Sequence, residues 1–231
     1  MRRRVEPELL DELSPLDPRA ARSRLDLLRL NRLMGHSGIV ARALELTSAA
    51  PDRMVELGAG DGGFALEVAR VLAPRWRKVH LVLVDRVNIV TDETIQSFRT
   101  LDWTVEVIRA DVFDWLEKSA RAAGCIMCNL FLHHFGEREL ARLLALVSVR
   151  ADRFVACEPR RSYPVLASSR LLGLIGCNAV TRHDAVTSVR AGFNQNELSM
   201  LWPAGPAWLL RERAAGLFSH CFVANRSILL S

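Results

Sequence analysis

MVELGAGDGGFALEVAR, residues 54–70, is the stretch that decides the fold of this 231-residue chain. It starts as an apolar run that contains the acid Glu56, continues as a glycine-rich turn, and ends with apolar residues at helical spacing. This order predicts a buried strand, a tight turn and a helix, which together open a nucleotide-binding α/β sheet. Glycine suits the turn because it adopts positive φ and lets a ligand lie against bare backbone. The start of the following helix offers free N–H groups to polar ligand atoms.

Acidic residues around the turn indicate the kind of ligand it serves. Residues 58–63 satisfy the dinucleotide pattern GxGxxG, which is a weak signal by itself. Glu56 stands two residues before the turn and Asp61 lies inside it. Two carboxylates would repel a pyrophosphate, whereas they suit a ligand that carries an ammonium group and no phosphate.

Two further acids follow the next two apolar runs. Asp85 ends the run 79–84, where it is placed to accept both ribose hydroxyls of an adenosine, and Asp111 follows the run 105–108. Acids after strands one, two and three resemble the class I S-adenosylmethionine-dependent methyltransferases, over about residues 52–227. The resemblance implies S-adenosyl-L-methionine as the cofactor. The residues that it implies as cofactor contacts are Glu56, Gly58, Ala59, Gly60, Asp61, Asp85, Arg86, Asp111, Val112, Asn129 and Leu130.

The remaining pattern predicts an α/β, Rossmann-like class I methyltransferase sheet. Strands and helices alternate, which indicates a parallel sheet with helices on both faces and ligands at the carboxyl ends of its strands. The predicted strands lie near 53–57, 79–84, 104–109, 125–130 and 153–157, and the helices near 62–73, 91–101, 113–122 and 137–149.

The C-terminal part of the chain differs from this alternation. Residues 207–213 and 217–224 are two β-like runs joined by a short turn at 214–216, which predicts a hairpin that closes the sheet with an antiparallel strand. A dinucleotide dehydrogenase would instead need residues for a substrate domain, so this ending argues against NAD.

Two other segments are predicted to flank the ligand cleft. Residues 19–34 and 39–46 have helical periodicity, broken at Gly35 and Gly38, so residues 1–50 are expected to form an N-terminal helical cap. Residues 51–231 form the methyltransferase domain, with a lid insertion at about 162–195 because the link to the hairpin is longer than one crossover helix requires. Both segments resemble those of bacterial small-molecule methyltransferases of secondary-metabolite type.

Three histidines are candidates for a catalytic base. Methyl transfer from a sulfonium has a neutral leaving group, so the protein mainly aligns the reactants, and a base is needed only for a protonated nucleophile such as a phenol. His133 and His134 begin the loop after strand four in a motif that resembles the family's, although a structural role for the pair stays open. His183 lies beside Asp184 in the insertion, where the pair supplies either a base or the start of a helix.

Candidate substrate contacts follow strand five and lie in the insertion. They are Glu158, Arg161 and Arg190, of which an arginine can hold a substrate carboxylate bidentately. No metal is expected, because Cys125 and Cys128 are three apart on a predicted strand and therefore point to opposite faces. Catalysis is accordingly predicted to be metal-independent.

The amino-acid composition limits which partners and which cellular compartment are expected. The net charge of +5 and pI of 9.3 suggest a nucleic-acid partner. Against this, the arginines are spread among acids, and an aromatic share of 6% argues against a base-stacking platform. The five cysteines lie mostly within apolar runs, as reduced thiols do. No apolar run is long enough to cross a bilayer and no secretory signal is visible, which predicts a cytoplasmic protein. A homodimer is an open option.

The sequence therefore predicts methyl transfer to a small organic acceptor, with an oxygen of an aromatic or polyketide-like molecule favoured. Two alternatives remain open at this point. One is an RNA methyltransferase, which the positive charge suggests. The other is a non-catalytic subunit that binds the cofactor and has lost the chemistry.

Overall fold

A computed structural model of the chain describes residues 1–45, 50–119, 123–205 and 207–227. Within these residues seven strands form a single sheet in the order β3-β2-β1-β4-β5-β7-β6. The strands are β1 (Arg53–Leu57), β2 (His80–Asp85), β3 (Thr104–Arg109), β4 (Cys125–Asn129), β5 (Arg153–Pro159), β6 (Trp208–Ala215) and β7 (Ser219–Arg226).

The pairing of the strands confirms the predicted class of fold. Strands β1 to β5 pair in parallel, and β7 joins β5 in antiparallel register, with Glu158 opposite His220. The hairpin closes two positions later than predicted, because β6 continues through Ala215, which pairs with Ser219. Gly216, with φ of +68°, occupies the turn.

Ten α-helices accompany the sheet in the described ranges. They are α1 (Leu9–Glu12), α2 (Pro18–Met34), α3 (His36–Glu45), α4 (Gly63–Leu72), α5 (Asp92–Arg99), α6 (Val112–Lys118), α7 (Glu137–Arg150), α8 (Tyr163–Ser169), α9 (Ala179–Ala191) and α10 (Glu197–Leu201). Helix α1 was not predicted. Residue 46 and residues 120–122, with which two of the predicted helices end, lie outside the described residues.

Glycine ends α2 but does not interrupt α3. Gly35 has φ of +68° and its N–H bonds the carbonyls of Asn31 and Arg32, so it is the left-handed cap that stops α2. Gly38, predicted as a second break, lies inside α3, which starts directly after Gly35.

Two apolar layers cover the two faces of the sheet. Alternate residues of β4 show the division: Cys125 packs with α3 and α4 on one face, and Cys128 packs with α7 on the other. The two thiols therefore face apart, as the strand period predicted. Among the described helices, none combines the length and apolar character that a membrane crossing requires.

The cap and the insertion interlock beside the sheet. Asp26 of α2 is almost fully buried and accepts hydrogen bonds from the Asn178 N–H at 2.8 Å and the Thr181 hydroxyl at 3.2 Å, at the start of α9. Ser23 Oγ lies 2.9 Å from Thr181 Oγ1. These buried contacts hold α9 against α2, next to the carboxyl ends of the strands.

Candidate active site

The carboxyl ends of the parallel strands open onto a cleft of about 1020 Å³. All eleven residues predicted as cofactor contacts line it. The cleft lies where ligands bind in open α/β sheets, at the point where strand order reverses between β1 and β4.

The glycine turn is held in shape by β2. Gly58 has φ of +71° and its N–H donates to the Val84 carbonyl at 2.9 Å. The Asp85 carboxylate accepts the Gly60 N–H at 2.8 Å with one oxygen and the Val87 N–H at 2.9 Å with the other. Each carboxylate oxygen has a further lone pair, so Asp85 can hold the turn and still accept from a ligand.

Glu56 is the buried acid of the cleft. Its side chain is 2% exposed, and its Oε2 atom has no hydrogen-bond partner among the described residues. Burial, together with Asp61 and Asp85 nearby, raises the pKa of Glu56 well above its usual value. A buried polar atom without a partner is costly, so this oxygen is a ready acceptor for a donor on a ligand.

Two more predicted residues are fixed by local geometry. Asp111 caps α6, where its Oδ1 accepts the Phe113 N–H at 2.9 Å. Asn129 is anchored to the cap, since its Oδ1 lies 2.8 Å from His36 Nδ1. The next residue, Leu130, has φ of +51°, a strained value for leucine that brings its backbone to the cleft wall.

His133 is the centre of a buried group of charged side chains. Its Nδ1 lies 2.8 Å from Glu158 Oε2, and its Nε2 lies 3.1 Å from Glu8 Oε1. Glu158 is fully buried, and its other oxygen accepts the N–H groups of Phe131 and Leu132 at 2.9 and 2.8 Å. Glu158 thus lies beneath the cleft, where it orients His133 and the loop around it, instead of lining the cleft as a substrate contact.

The charges of this group shift one another's proton affinity. Burial by itself lowers the pKa of His133, but the hydrogen bonds to Glu158 and Glu8 outweigh it and raise the pKa to about 9. Burial opposes ionisation of Glu8, yet its bonds to His133 and Ser188 lower its pKa to about 2. His133 and Glu8 therefore form an ion pair at neutral pH.

Glu8 belongs to a segment that sequence reasoning missed. Residues 1–12, here called the N-terminal strap, cross the mouth of the cleft. Arg3 donates to the carbonyls of Ala191 at 2.7 Å and Phe135 at 2.9 Å, and Asp184 accepts the N–H groups at the start of α1 at 2.8 and 3.0 Å. In the sequence the strap is a short charged stretch without helical periodicity, so no local signal separates Glu8 from surface acids.

His134 and Asp11 lie beside this group. His134 Nδ1 is 3.3 Å from Asp11 Oδ2, and burial together with the nearby His133 lowers the pKa of His134. Potential metal-ligand atoms of Glu8, His133 and His134 lie within 4.8 Å of one another. Among the described residues this is the one group of side chains that could hold a metal ion, so it bears on the prediction that catalysis needs none. In the structure Glu8 and His133 are hydrogen-bonded to each other.

Three predicted site residues lie away from the cleft lining. His183 is exposed on α9 and its Nδ1 lies 3.0 Å from Asp184. Arg161 is buried under the insertion, where its Nε donates to the Gly192 carbonyl at 3.0 Å and its Nη2 pairs with Glu197. Arg190, near the end of α9, accepts the Arg4 N–H at its carbonyl, at 3.1 Å, and so anchors the strap.

An apolar wall completes the cleft. Phe131 and Phe135 meet edge to face with ring centroids 5.1 Å apart, and Phe113 meets Phe135 at 5.6 Å. All three line the cleft between Asp111 and His133. Such a wall is suited to a flat, largely apolar molecule.

Comparisons with known proteins bear on the fold. No protein-family model matches the sequence, and a search of curated proteins gives no match. Solved structures do match. The chain is similar to the plantazolicin methyltransferase BpumL in complex with SAH, with a TM-score of 0.65, 12% identity and 92% of each chain covered.

Two further solved structures extend this likeness. An O-methyltransferase family protein from Burkholderia thailandensis has a TM-score of 0.60 and 17% identity, with 91% of this chain and 60% of that chain covered. The mitomycin 7-O-methyltransferase MmcR has a TM-score of 0.60 and 18% identity, with 94% and 60% covered. The chain thus spans about three fifths of the length of these two proteins. At such identities the likeness establishes that the chain shares the fold of these methyltransferase structures.

Proposed function

We propose that the chain is an S-adenosyl-L-methionine-dependent methyltransferase that acts on a small organic acceptor, at an oxygen of an aromatic or polyketide-like molecule. The observation that carries this proposal is the chemistry of the cleft: an unpartnered buried oxygen on Glu56, a glycine turn, and Asp85 at the end of β2. Similarity to methyltransferase structures supports the same conclusion.

The residues present fit the cofactor. Glu56 would accept hydrogen bonds from the ammonium of its amino acid part, and that positive charge would favour the ionised carboxylate and so oppose the burial and the neighbouring acids that raise the pKa of Glu56. Asp85 would accept the ribose hydroxyls, and Asp111 lies where the adenine would reach. The open space at the Gly60 Cα lets the ligand approach the backbone. A dinucleotide would instead bring its pyrophosphate against Glu56, Asp61 and Asp85, which argues against NAD.

His133 is the base that the geometry supports. When neutral, its Nδ1–H donates to Glu158, which fixes the tautomer and directs the Nε2 lone pair toward the cleft. The cofactor supplies an electrophilic methyl group on a sulfonium. With the acceptor aligned on this methyl, Nε2 of His133 would take the O–H proton of the acceptor, and Glu158 would stabilise the imidazolium that forms.

The walls of the cleft favour a small acceptor over RNA. Phe113, Phe131 and Phe135 offer an apolar face for a ring. Acidic residues such as Glu6, Asp11 and Glu139 outnumber the arginines in the cleft lining and would repel a phosphate backbone. The volume of about 1020 Å³ leaves room for an acceptor beside the cofactor.

Calorimetry with S-adenosylmethionine, its demethylated product and NAD tests cofactor choice. We expect binding of the first two and none of NAD. Asp85→Asn should weaken binding by about 1.5–3 kcal/mol, or roughly 10- to 150-fold, because a charge-assisted hydrogen bond is lost. Asp52→Asn, at the opposite end of β1, is the matched control and should bind like wild type. Binding of NAD alone would refute the proposal.

Replacement of the base separates an enzyme from a cofactor-binding subunit. His133→Ala should keep the affinity for the demethylated product near wild type and reduce turnover of a phenolic acceptor by roughly 10²–10⁴-fold, the usual contribution of general acid–base catalysis. Equal turnover in both proteins would mean that alignment suffices and that His133 is not the base. Absence of transfer to any acceptor tried, with the cofactor still bound, would favour the non-catalytic alternative.

A further inference from the structure

One carboxylate of the catalytic group has no part in the mechanism described so far. Glu8 lines the cleft, but it reaches His133 from the strap and not from the sheet. Its side chain is almost fully buried and bonds both His133 Nε2 and the Ser188 hydroxyl of α9. The Nε2 atom that it contacts is the one from which the proposed base acts.

The contact between Glu8 and His133 excludes an acceptor hydroxyl from the same position. Nε2 has a single lone pair or a single hydrogen in the ring plane, so it makes one strong hydrogen bond at a time. In the structure the 3.1 Å distance to Glu8 occupies that direction. Because a carboxylate accepts and does not donate, the contact between Glu8 and Nε2 is a hydrogen bond only when Nε2 is protonated.

We propose that Glu8 is a positioning residue of the active site, which holds His133 as the imidazolium while no acceptor is bound and gives up the Nε2 position to the acceptor's hydroxyl. This inference rests on the proposed function. When the acceptor hydroxyl displaces Glu8 from Nε2, the imidazolium releases its Nε2 proton to water through the open cleft. Transfer then breaks the methyl–sulfur bond and forms the methyl–oxygen bond, and the hydroxyl proton goes to the neutral His133. The imidazolium formed in this way donates to Glu8 again once the methylated product has left.

The surroundings of His133 support a specific effect of Glu8. The ring of His133 meets Glu158 from β5, Glu8 from the strap and the neighbouring His134, and Arg3 from the strap donates to the His133 carbonyl. Asp11 of the strap lies beyond them and pairs with His134, and Asp184 of α9 acts on Asp11. Two of these bond the His133 ring directly, namely Glu158 and Glu8. Removal of the Glu8 charge leaves His133 with one such partner, so its proton affinity should fall while Glu158 still orients the ring.

Nuclear magnetic resonance of the histidine Cε1–H groups tests this without an acceptor, and His133→Asn identifies the signal. In wild type the His133 signal should titrate near pH 9. In Glu8→Gln the midpoint should fall by about 1–3 pH units, the usual effect of an opposite charge within 4–6 Å. Glu12→Gln removes a charge from the same strap at an exposed position and should leave the midpoint unchanged. Glu8→Asp keeps the charge and should titrate closer to wild type than Glu8→Gln does.

An unchanged midpoint in Glu8→Gln, or an equal fall in Glu12→Gln, would overturn the proposal. The titration reads the contact itself, so its result is independent of whether the chain transfers methyl groups. Conversely, loss of cofactor binding in Asp85→Asn can be observed whatever His133 does. The two proposals can therefore fail separately.

Discussion

The glycine turn offers a matched pair of substitutions that separates packing from ligand binding. A Cβ added at Gly58 would lie 2.2 Å from Phe131 Cδ2, and φ there is +71°. A Cβ added at Gly60, with φ of +55°, would meet nothing within 4 Å and would point into the cleft. Both alanines incur the left-handed backbone cost of about 1–2 kcal/mol. Only Gly58→Ala also forces an aromatic ring to move, which costs about 1–3 kcal/mol more.

Thermal unfolding and calorimetry measure the two effects. For a chain of this size each kcal/mol lowers Tm by roughly 2–4 °C, so Gly58→Ala should melt about 2–12 °C below Gly60→Ala. Affinity for the demethylated cofactor product should be reduced in Gly60→Ala, because its methyl group occupies ligand space. Equal melting temperatures would refute the contact between Phe131 and the turn. Undiminished affinity in Gly60→Ala would refute the position of the ligand against that backbone.

Three further predictions concern metal, acid and the insertion. Turnover should survive chelation by EDTA; activity that disappears and returns with a divalent ion would assign the group of Glu8, His133 and His134 to a metal. Burial lowers the pKa of His36 to about 4, so this residue stabilises the fold above pH 6.5 and the benefit is lost as pH falls toward 4, because the unfolded chain binds the proton first. In urea unfolding, the free energy of unfolding of the wild type should therefore fall between pH 7 and pH 4 by up to about 3 kcal/mol more than that of His36→Gln. His183→Ala should retain turnover within about twofold, since its ring is exposed outside the cleft, and a loss of roughly 10²-fold or more would restore it as a base candidate.

The sheet and its cofactor edge could be predicted because their signals are local. Glu56, the glycine turn and Asp85 lie at strand ends, where chain direction alone brings them to one edge. The contacts of Glu158 could not be predicted in the same way. Its position after β5 is visible in the sequence, but its burial against His133 depends on packing between segments 25 residues apart.

The contacts of the strap were still less accessible to prediction from the sequence. Glu8 bonds a ring 125 residues away, and nothing in the composition of residues 1–12 distinguishes it from Glu6 or Glu12. Arg161 and Arg190 show the limit of reasoning from charge. Both were predicted as substrate contacts, but neither lines the cleft, and Arg161 is buried against carbonyl groups of the strap and the insertion and pairs with Glu197.

The long reach of the strap also sets an order of assembly. Its hydrogen bonds to α9 and to the loop after β4 join residues separated by 125 to 188 positions, whereas the glycine turn and Asp85 are 25 positions apart. Contacts that close long loops form late in folding because they cost more chain entropy. The cofactor half of the cleft should therefore gain protection from hydrogen exchange before the acceptor half does. Opening of the strap should likewise expose the amides of α1 on a faster timescale than those of β1. The acceptor pocket can therefore open to solvent while the sheet stays folded.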